Sequence, residues 1–268
     1  MISTAPFRLA AAGLLLAAGA PALAQDEGEE TAKEPRRYRV GLGPQLVPSY
    51  PGADGHKWRP LVDVSFTRGD TPFEYEAPDE SFGFAIVRSG GFEIGPALNY
   101  QGSRKPSDVG APVEKVKGTV EAGAFVQHYL GESFRLRAEG RRGLGGHDGW
   151  TGHVGADFIS RDKDEYVFAV GPRVTWSNGR YQRAYFGVSP QSAAATGLPV
   201  YTPDGGLQGL GATASLHVAL TPRWGLYGFA QYERLVSDAG DSPLVRGFGS
   251  RDQLSGGVAL TMTFGGGR

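Results

Sequence analysis

The sequence predicts an all-β protein, an antiparallel β-barrel of about twelve strands that crosses a membrane. Residues 210–235 form two arms of alternating polarity. Each arm approaches the ~9–11 residues that a tilted strand needs to cross a bilayer, whereas strands of globular proteins usually run about 5–6 residues. Several other candidate strands alternate in the same way, among them 92–100, 133–142 and 165–176, and the last alternating strand ends at Phe264. Long alternating strands without long apolar runs are typical of a transmembrane barrel.

The first 24 residues predict a signal peptide that is cleaved before Gln25. Arg8 supplies the positive charge, residues 9–20 form a short apolar run, and Ala22-Leu23-Ala24 is a small-x-small cleavage site. An uncleaved membrane anchor is the alternative, but the run is shorter than the ~20 residues that a spanning helix needs. The chain is therefore expected to leave the cytoplasm.

The barrel is predicted to occupy residues 36–264, after a flexible acidic lead-in at 25–35 and before a short tail at 265–268. Strand patterns follow one another from Arg36 onward without a convincing helix. Twelve is an even number, as bacterial single-chain barrels require, and boundary errors of about 2–4 residues leave ten or fourteen strands open. The candidate strands are 36–46, 58–68, 81–88, 92–100, 118–130, 133–142, 150–160, 165–176, 181–188, 209–220, 223–235 and 253–264.

Loop lengths fit a barrel in the C-terminal half of the chain and not in the N-terminal half. Short turns should alternate with long outer loops, as they do around 189–208 and 236–252. Residues 101–117 are instead long where a short turn is due, and 89–91 are short where a long loop is due. An unrecognised strand or bend within residues 69–80 would restore the alternation of short turns and long loops.

The strand at 133–142 has the most charged face of the chain. Charges that face lipid at the bilayer midplane cost about 2–4 kcal/mol each, so this face is predicted to line the lumen. It could select anionic solutes, or form a salt network with Glu93, Glu121, Asp157 or Glu233. Side chains fill much of a narrow barrel, so an open pore is not implied. The predicted lumen residues are Arg135, Arg137, Glu139, Arg141, His217 and Glu233.

Composition excludes several classes of function and leaves one alternative fold. Cysteine is absent, which excludes disulfides, thiolate zinc sites and cysteine nucleophiles. The net charge of −1 offers no electrostatic case for nucleic-acid binding. The five histidines are scattered without metal-ligand spacing, so no metal, cofactor or catalytic residue is predicted. A soluble β-sandwich or lipocalin-like barrel remains the alternative, because alternation alone does not say which face is outside.

Three segments together resemble the MipA/OmpV family of outer-membrane proteins. The first runs from Gly41-Leu42-Gly43-Pro44 through 48–54 to Pro60-Leu61, the second covers 181–201, and the third covers 234–245. The residues that carry the resemblance in the second and third segments are Tyr181, Arg183, Tyr185, Phe186, Gly187, Ser192, Gly197, Leu198, Pro199, Tyr201, Arg234, Leu235, Asp238, Asp241, Ser242 and Pro243. Thr196 stands where the family pattern has serine, and four residues follow the terminal aromatic Phe264.

The second segment is interpreted as a strand that runs into a long loop, with Tyr181, Tyr185 and Phe186 as anchors at the membrane interface. The third segment is interpreted as a tight, capped loop. An ion pair between Arg183 or Arg234 and Asp238 or Asp241 would tie the two loops together. Maintenance of loop structure explains both motifs better than a ligand site does.

The resemblance implies a non-enzymatic protein of the bacterial outer membrane, in contact with its lipid. It implies a structural, scaffolding or surface-interaction role, with a lytic murein transglycosylase and a penicillin-binding murein synthase as partners. A narrow channel for small solutes and a hydrolase at the barrel rim are the two alternatives. The hydrolase has the weakest support, because Ser242 lacks the G-x-S-x-G elbow and no histidine is placed as its base.

Overall fold

The computed structural model describes residues 34–265, and these fold into one twelve-stranded antiparallel sheet with five short helices. The predicted fold class is therefore confirmed. The predicted signal peptide, lead-in residues 25–33 and tail residues 266–268 lie outside the described residues. The strands are β1 (Arg36–Pro48), β2 (His56–Arg68), β3 (Phe82–Gly83), β4 (Val87–Ser89), β5 (Phe92–Gln101), β6 (Thr119–Leu130), β7 (Phe134–Leu144), β8 (Trp150–Asp162), β9 (Tyr166–Asn178), β10 (Gly205–Ala219), β11 (Trp224–Leu235) and β12 (Asp252–Gly265). The helices are α1 (Pro106–Val109), α2 (Gly179–Phe186), α3 (Pro190–Thr196), α4 (Ser237–Asp241) and α5 (Pro243–Phe248).

The sheet follows chain order and joins its first strand to its last. The order is β2-β1-β12-β11-β10-β9-β8-β7-β6-β5-β3, and β4 also pairs with β5. Val40 in β1 lies opposite Met262 in β12. The long hairpin is present as β10 and β11, with Leu216 opposite Gly228. Within residues 34–265 no helix is long and apolar enough to cross a membrane.

The period-2 alternation of the strands separates an apolar outer face from a polar inner face. The inner face buries charged residues of β6 to β9, whereas large apolar side chains project outward from every long strand. This arrangement is the reverse of a soluble sandwich and matches a barrel wall in lipid. Representative outward residues are Val62, Leu98, Val126, Val154, Leu226 and Val258.

Two predicted strands differ from the structure. Residues 181–188 are not a strand, because 181–186 belong to helix α2, whose N-cap Asn178 accepts a hydrogen bond from Tyr181 N at 3.2 Å. The helix places Tyr181 and Tyr185 four residues apart on its buried face. The predicted strand 81–88 is interrupted and forms β3 and β4. The structure therefore has twelve strands, as predicted, but the predicted strand 181–188 is absent and the predicted strand 81–88 counts as two.

Short turns and long loops alternate in the N-terminal half of the barrel as well, because residues 69–81 run inside the barrel from one end to the other. Turns 131–133, 163–165 and 220–223 lie at one end, here called the short-turn end, and the long loops lie at the other. Both β2 and β3–β4 run toward the short-turn end, as their antiparallel pairing with β1 and β5 shows. The intervening segment must therefore return through the molecule, and it does so in the lumen.

Candidate functional site

The centre of the lumen holds a network of buried ion pairs around Arg135. This side chain is 1% exposed, and its guanidinium donates to Asp157 Oδ2 at 2.7 Å and to a carboxylate oxygen of Glu80. Arg173 on β9 donates to the other oxygen of Asp157 at 2.7 Å and to Asp79 at 2.7 Å. Because each buried guanidinium has carboxylate partners, the cost of burying these charges is offset.

A second part of the network lies nearer the long-loop end. Arg141 donates to Glu121 Oε2 at 2.9 Å and to Glu139, and Arg137 donates to Glu139 at 2.7 Å. Glu121 also lies 3.1 Å from His147 Nε2, a histidine carried by the loop between β7 and β8. The charged face of β7 is thus turned into the lumen and neutralised there.

The remaining two predicted lumen residues lie on the β10–β11 hairpin and also point inward. His217 Nε2 lies 2.9 Å from Thr261 Oγ1, and the hydroxyl of Thr175 donates to Glu233. A small cavity near the short-turn end is lined by His217, Arg39 and other residues of the lumen wall. Within residues 34–265 no three His, Cys, Asp or Glu side chains are grouped to hold a metal ion.

Residues 69–81, here called the inner segment, lie in the lumen next to this network. Phe73 N donates to Asp164 Oδ1 at 2.9 Å, and Arg135 donates to the carbonyl oxygen of Tyr75 at 3.2 Å. Tyr75 and Ala77 are buried in an apolar cluster with three residues of the opposite wall, Ile159, Val167 and Ala169. The inner segment and the ion pairs together occupy the middle of the barrel.

The long-loop end is closed by a cap formed by the motif loops. Tyr181, Tyr185 and Phe186 of α2 are buried with Leu235 and Val245. Burial raises the pKa of Tyr181 and that of Tyr185 above their usual values, so both phenols stay protonated. The prediction that the three aromatic residues anchor a strand at the membrane interface is wrong, because they form the interior of the cap.

Ser242 joins the third motif segment to the second. Its hydroxyl is fully buried, donates to Phe186 O at 2.6 Å and accepts from Leu244 N at 3.2 Å and Val245 N at 3.4 Å. The residue is therefore the N-cap of α5 as well as the link to the end of α2. A hydroxyl with these partners is not available to a substrate as a nucleophile.

We expect Ser242→Ala to cost about 1–2 kcal/mol of stability, because the cap is lost and Phe186 O is left without its donor. The measurement is the urea midpoint of the purified protein, read from the gel mobility of folded and unfolded bands. Ser250→Ala is the control: it also removes a loop hydroxyl, but one hydrogen-bonded at the exposed surface. Equal midpoints for the two variants would contradict the assigned role.

The ion pairs expected between the two motif loops are absent from the described structure. Arg234 pairs with Asp252 at 2.7 Å, and Asp241 pairs with Arg246 at 2.5 Å and Arg251 at 2.8 Å. Hydrogen bonds tie the loops instead. Tyr201 OH donates to Asp238 O at 2.9 Å, and Asp204 N donates to Asp238 Oδ2 at 3.0 Å.

The other motif residues shape the loop after α2. Arg183 donates to Pro203 O at 3.3 Å, and Gly187 N donates back to Arg183 O at 3.2 Å to end the helix. Ser192 is buried in α3, and Gly197 ends that helix in the left-handed conformation. Leu198 packs against the cap, Pro199 follows it in the exposed part of the loop, and Pro243 begins α5.

Sequence reasoning missed Gln182 and Arg104. Gln182 is completely buried in α2, and Arg104 donates to Tyr185 O at 2.7 Å and to Glu114 O at 2.9 Å. Arg104 thereby ties the loop between β5 and β6 to the cap. Burial lowers its pKa, although the guanidinium remains charged. Gln182 lies within the second motif segment but is not among the residues that carry the resemblance, and nothing in the local pattern of Arg104 distinguishes it from an exposed loop residue.

An apolar wall, a polar filled lumen and a packed cap define an outer-membrane β-barrel. The model of the family described as MltA-interacting protein MipA matches residues 40–264. The chain therefore belongs to the MipA family.

Solved outer-membrane proteins match the chain at low similarity. The outer membrane protein OprG from Pseudomonas aeruginosa is 7% identical, with 87% of this chain and 97% of that chain covered and a TM-score of 0.28. The TodX deltaS2S3 mutant, a monoaromatic hydrocarbon channel, is 9% identical, with 87% and 90% covered and a TM-score of 0.36. The protease OmpT from Escherichia coli is 10% identical, with 87% and 96% covered and a TM-score of 0.25. No curated protein matches the chain.

Proposed function

We propose that this barrel is a non-enzymatic interaction protein of the outer membrane, which binds a murein transglycosylase at its short-turn end. The observation that supports the proposal most directly is the filled lumen. The inner segment occupies the barrel and the cap covers the long-loop end, so the described conformation does not support an open channel. Binding at the surface is the function that a barrel with a filled lumen retains.

The family description supplies the class of partner, because it names an MltA-interacting protein. Murein and its enzymes lie in the periplasm, and short turns of outer-membrane barrels face that compartment. The short-turn end presents exposed charged side chains on three separate turns, among them Glu132, Lys163, Glu165 and Arg223. A penicillin-binding murein synthase recruited through the transglycosylase completes the proposed scaffold.

The test is capture of purified murein transglycosylase by the full chain in detergent. Reversal of two turn charges, Lys163→Glu with Arg223→Glu, is expected to weaken capture at least severalfold. The matched control reverses two exposed charges of the loop between β5 and β6, Lys115→Glu with Lys117→Glu, and is expected to leave capture unchanged. The role is refuted if the wild type captures no transglycosylase, and the docking face is wrong if only the loop variant loses binding.

A further inference from the structure

The barrel wall has an open seam between β2 and β3–β4. Among the described residues, β2 pairs only with β1, while β3 and β4 pair only with β5. Aromatic side chains beside the seam are the most exposed of the wall, with Phe82 at 77%, Trp58 at 72% and Phe66 at 67%. Unpaired strand edges in lipid are costly, so the seam needs a further strand.

The strand that fits must run away from the short-turn end. Both edges of the seam run toward that end, and an antiparallel neighbour of both must run the opposite way. The inner segment runs in this direction along the chain, between β2 and β3. It lies in the lumen rather than in the wall.

Two tight turns delimit the part of the inner segment that can fill the seam. Thr71 N donates to Arg68 O at 3.2 Å across a turn in which Gly69 has a positive φ of 53°. Glu80 N donates to Ala77 O at 3.1 Å across a turn that contains Pro78. Residues 71–77 are thus bounded by two β-turns, and the first has the positive φ at its first central residue that a two-residue hairpin turn requires.

Continuing either turn as a hairpin gives a consistent register. The first turn places Phe73 opposite Phe66 and Tyr75 opposite Val64, and the second places Tyr75 opposite Phe82. All of these partners already face outward from the wall. Because side chains alternate, Phe73, Tyr75 and Ala77 would then face lipid and Glu74 and Glu76 would face the lumen.

The same register would give Arg39 a hydrogen-bond partner, which its guanidinium lacks at two nitrogens. Arg39 lies opposite Ser65 in the wall, is buried, and has no hydrogen-bond partner at Nε or Nη1. Hairpin pairing puts Glu74 opposite Ser65, in the same row as Arg39 and on the same face. A carboxylate there offers this guanidinium the partner that it lacks.

We propose that residues 71–77 are a wall strand held inside the lumen, and that their insertion into the seam opens the barrel to small polar solutes. Insertion completes an antiparallel wall and removes Phe73 and Tyr75 from the lumen. Several contacts hold the segment in the lumen: the ion pairs of Asp79 with Arg173, Glu80 with Arg135 and Glu74 with Arg88, and the hydrogen bonds from Phe73 N to Asp164 and from Arg135 to Tyr75 O. Solute passage goes beyond the interaction role, which needs only the barrel with its lumen filled.

Disulfide trapping tests the insertion, since the chain contains no cysteine of its own. Val64 now faces lipid at 55% exposure, whereas Tyr75 is buried in the lumen at 7%. Insertion would place the two residues opposite each other on one face of the wall, where paired Cα atoms lie within the roughly 4.4–6.8 Å that a disulfide requires. We expect Val64→Cys/Tyr75→Cys to cross-link in lipid vesicles, faster when Asp79→Asn and Glu80→Gln are added. The control Val64→Cys/Glu74→Cys, with its thiols on opposite faces, should not cross-link.

Absence of the cross-link in the folded variant, or equal yield in the control, overturns the insertion. If Val64→Cys/Tyr75→Cys does not fold, Phe66→Cys/Phe73→Cys tests the same register. Planar-bilayer recordings test the passage. The Val64→Cys/Tyr75→Cys protein should conduct ions while its disulfide is formed and should stop conducting when the disulfide is reduced. Cross-linking Ala77→Cys to Ala169→Cys, within the buried cluster, should keep the protein silent. A cross-linked protein that does not conduct refutes solute passage. Capture of the transglycosylase is measured in a separate experiment, so that failure of the interaction role can be told apart from failure of solute passage.

Discussion

Replacing Arg135 by alanine should lower the unfolding free energy by about 3–5 kcal/mol, because the buried carboxylate of Glu80 loses its nearest partner and that of Asp157 keeps only Arg173. Two carboxylates, Asp157 and Glu80, lose a guanidinium that is itself 1% exposed. The carbonyl oxygen of Tyr75 loses a donor as well, so the inner segment loses two of its contacts with the wall. The measurement is a urea titration in detergent, followed by the gel shift between folded and unfolded forms.

Arg142→Ala is the matched control for Arg135→Ala. It truncates the same side chain on the same strand, but at an exposed position. Surface substitutions of this kind usually change stability by no more than about 0.5 kcal/mol. Arg135→Lys should fall between the two, because an ammonium keeps the charge but not the planar fork that binds two carboxylates. Similar losses for Arg135→Ala and Arg142→Ala would show that the network does not stabilise the barrel.

The wall was predictable because a period of two residues is visible without any tertiary information. The β10–β11 hairpin shows this, since alternation put Leu216 and His217 on opposite faces, as the structure has them. The same reasoning turned Arg135 and Arg137 inward, on the cost of a charge in lipid. Their acidic partners were harder to predict, because Asp79 and Glu80 come from the inner segment rather than from a strand of the wall.

The inner segment shows the limit of alternation. Phe73-Glu74-Tyr75-Glu76 has the pattern of a wall strand, and this pattern is the same whether the apolar face meets lipid or the opposite wall. The sequence therefore identified a hidden element and left its position open. The prediction of a strand at 181–188, where the structure has helix α2, was wrong for another reason: the aromatic residues of this segment favour strands locally. The helix is stabilised by the Asn178 N-cap and by packing against Leu235, which lies about fifty residues further along the chain.

Phe186→Ala should destabilise the cap by about 3–5 kcal/mol, the range observed when a buried phenylalanine is truncated to alanine. Phe186 is completely buried among α2, α4 and α5, and its carbonyl accepts the Ser242 hydroxyl. The β-ladders do not depend on this side chain, so we expect a folded barrel with a loosened cap. Protease added to intact cells should then cut the loops 187–204 and 236–251, which we expect to resist cleavage in the wild type because they are packed in the cap. Phe248→Ala is the control of equal size, because Phe248 is exposed on α5. Resistance in both variants would show that the motif loops fold without this core, whereas loss of the gel shift would show that cap and wall unfold together.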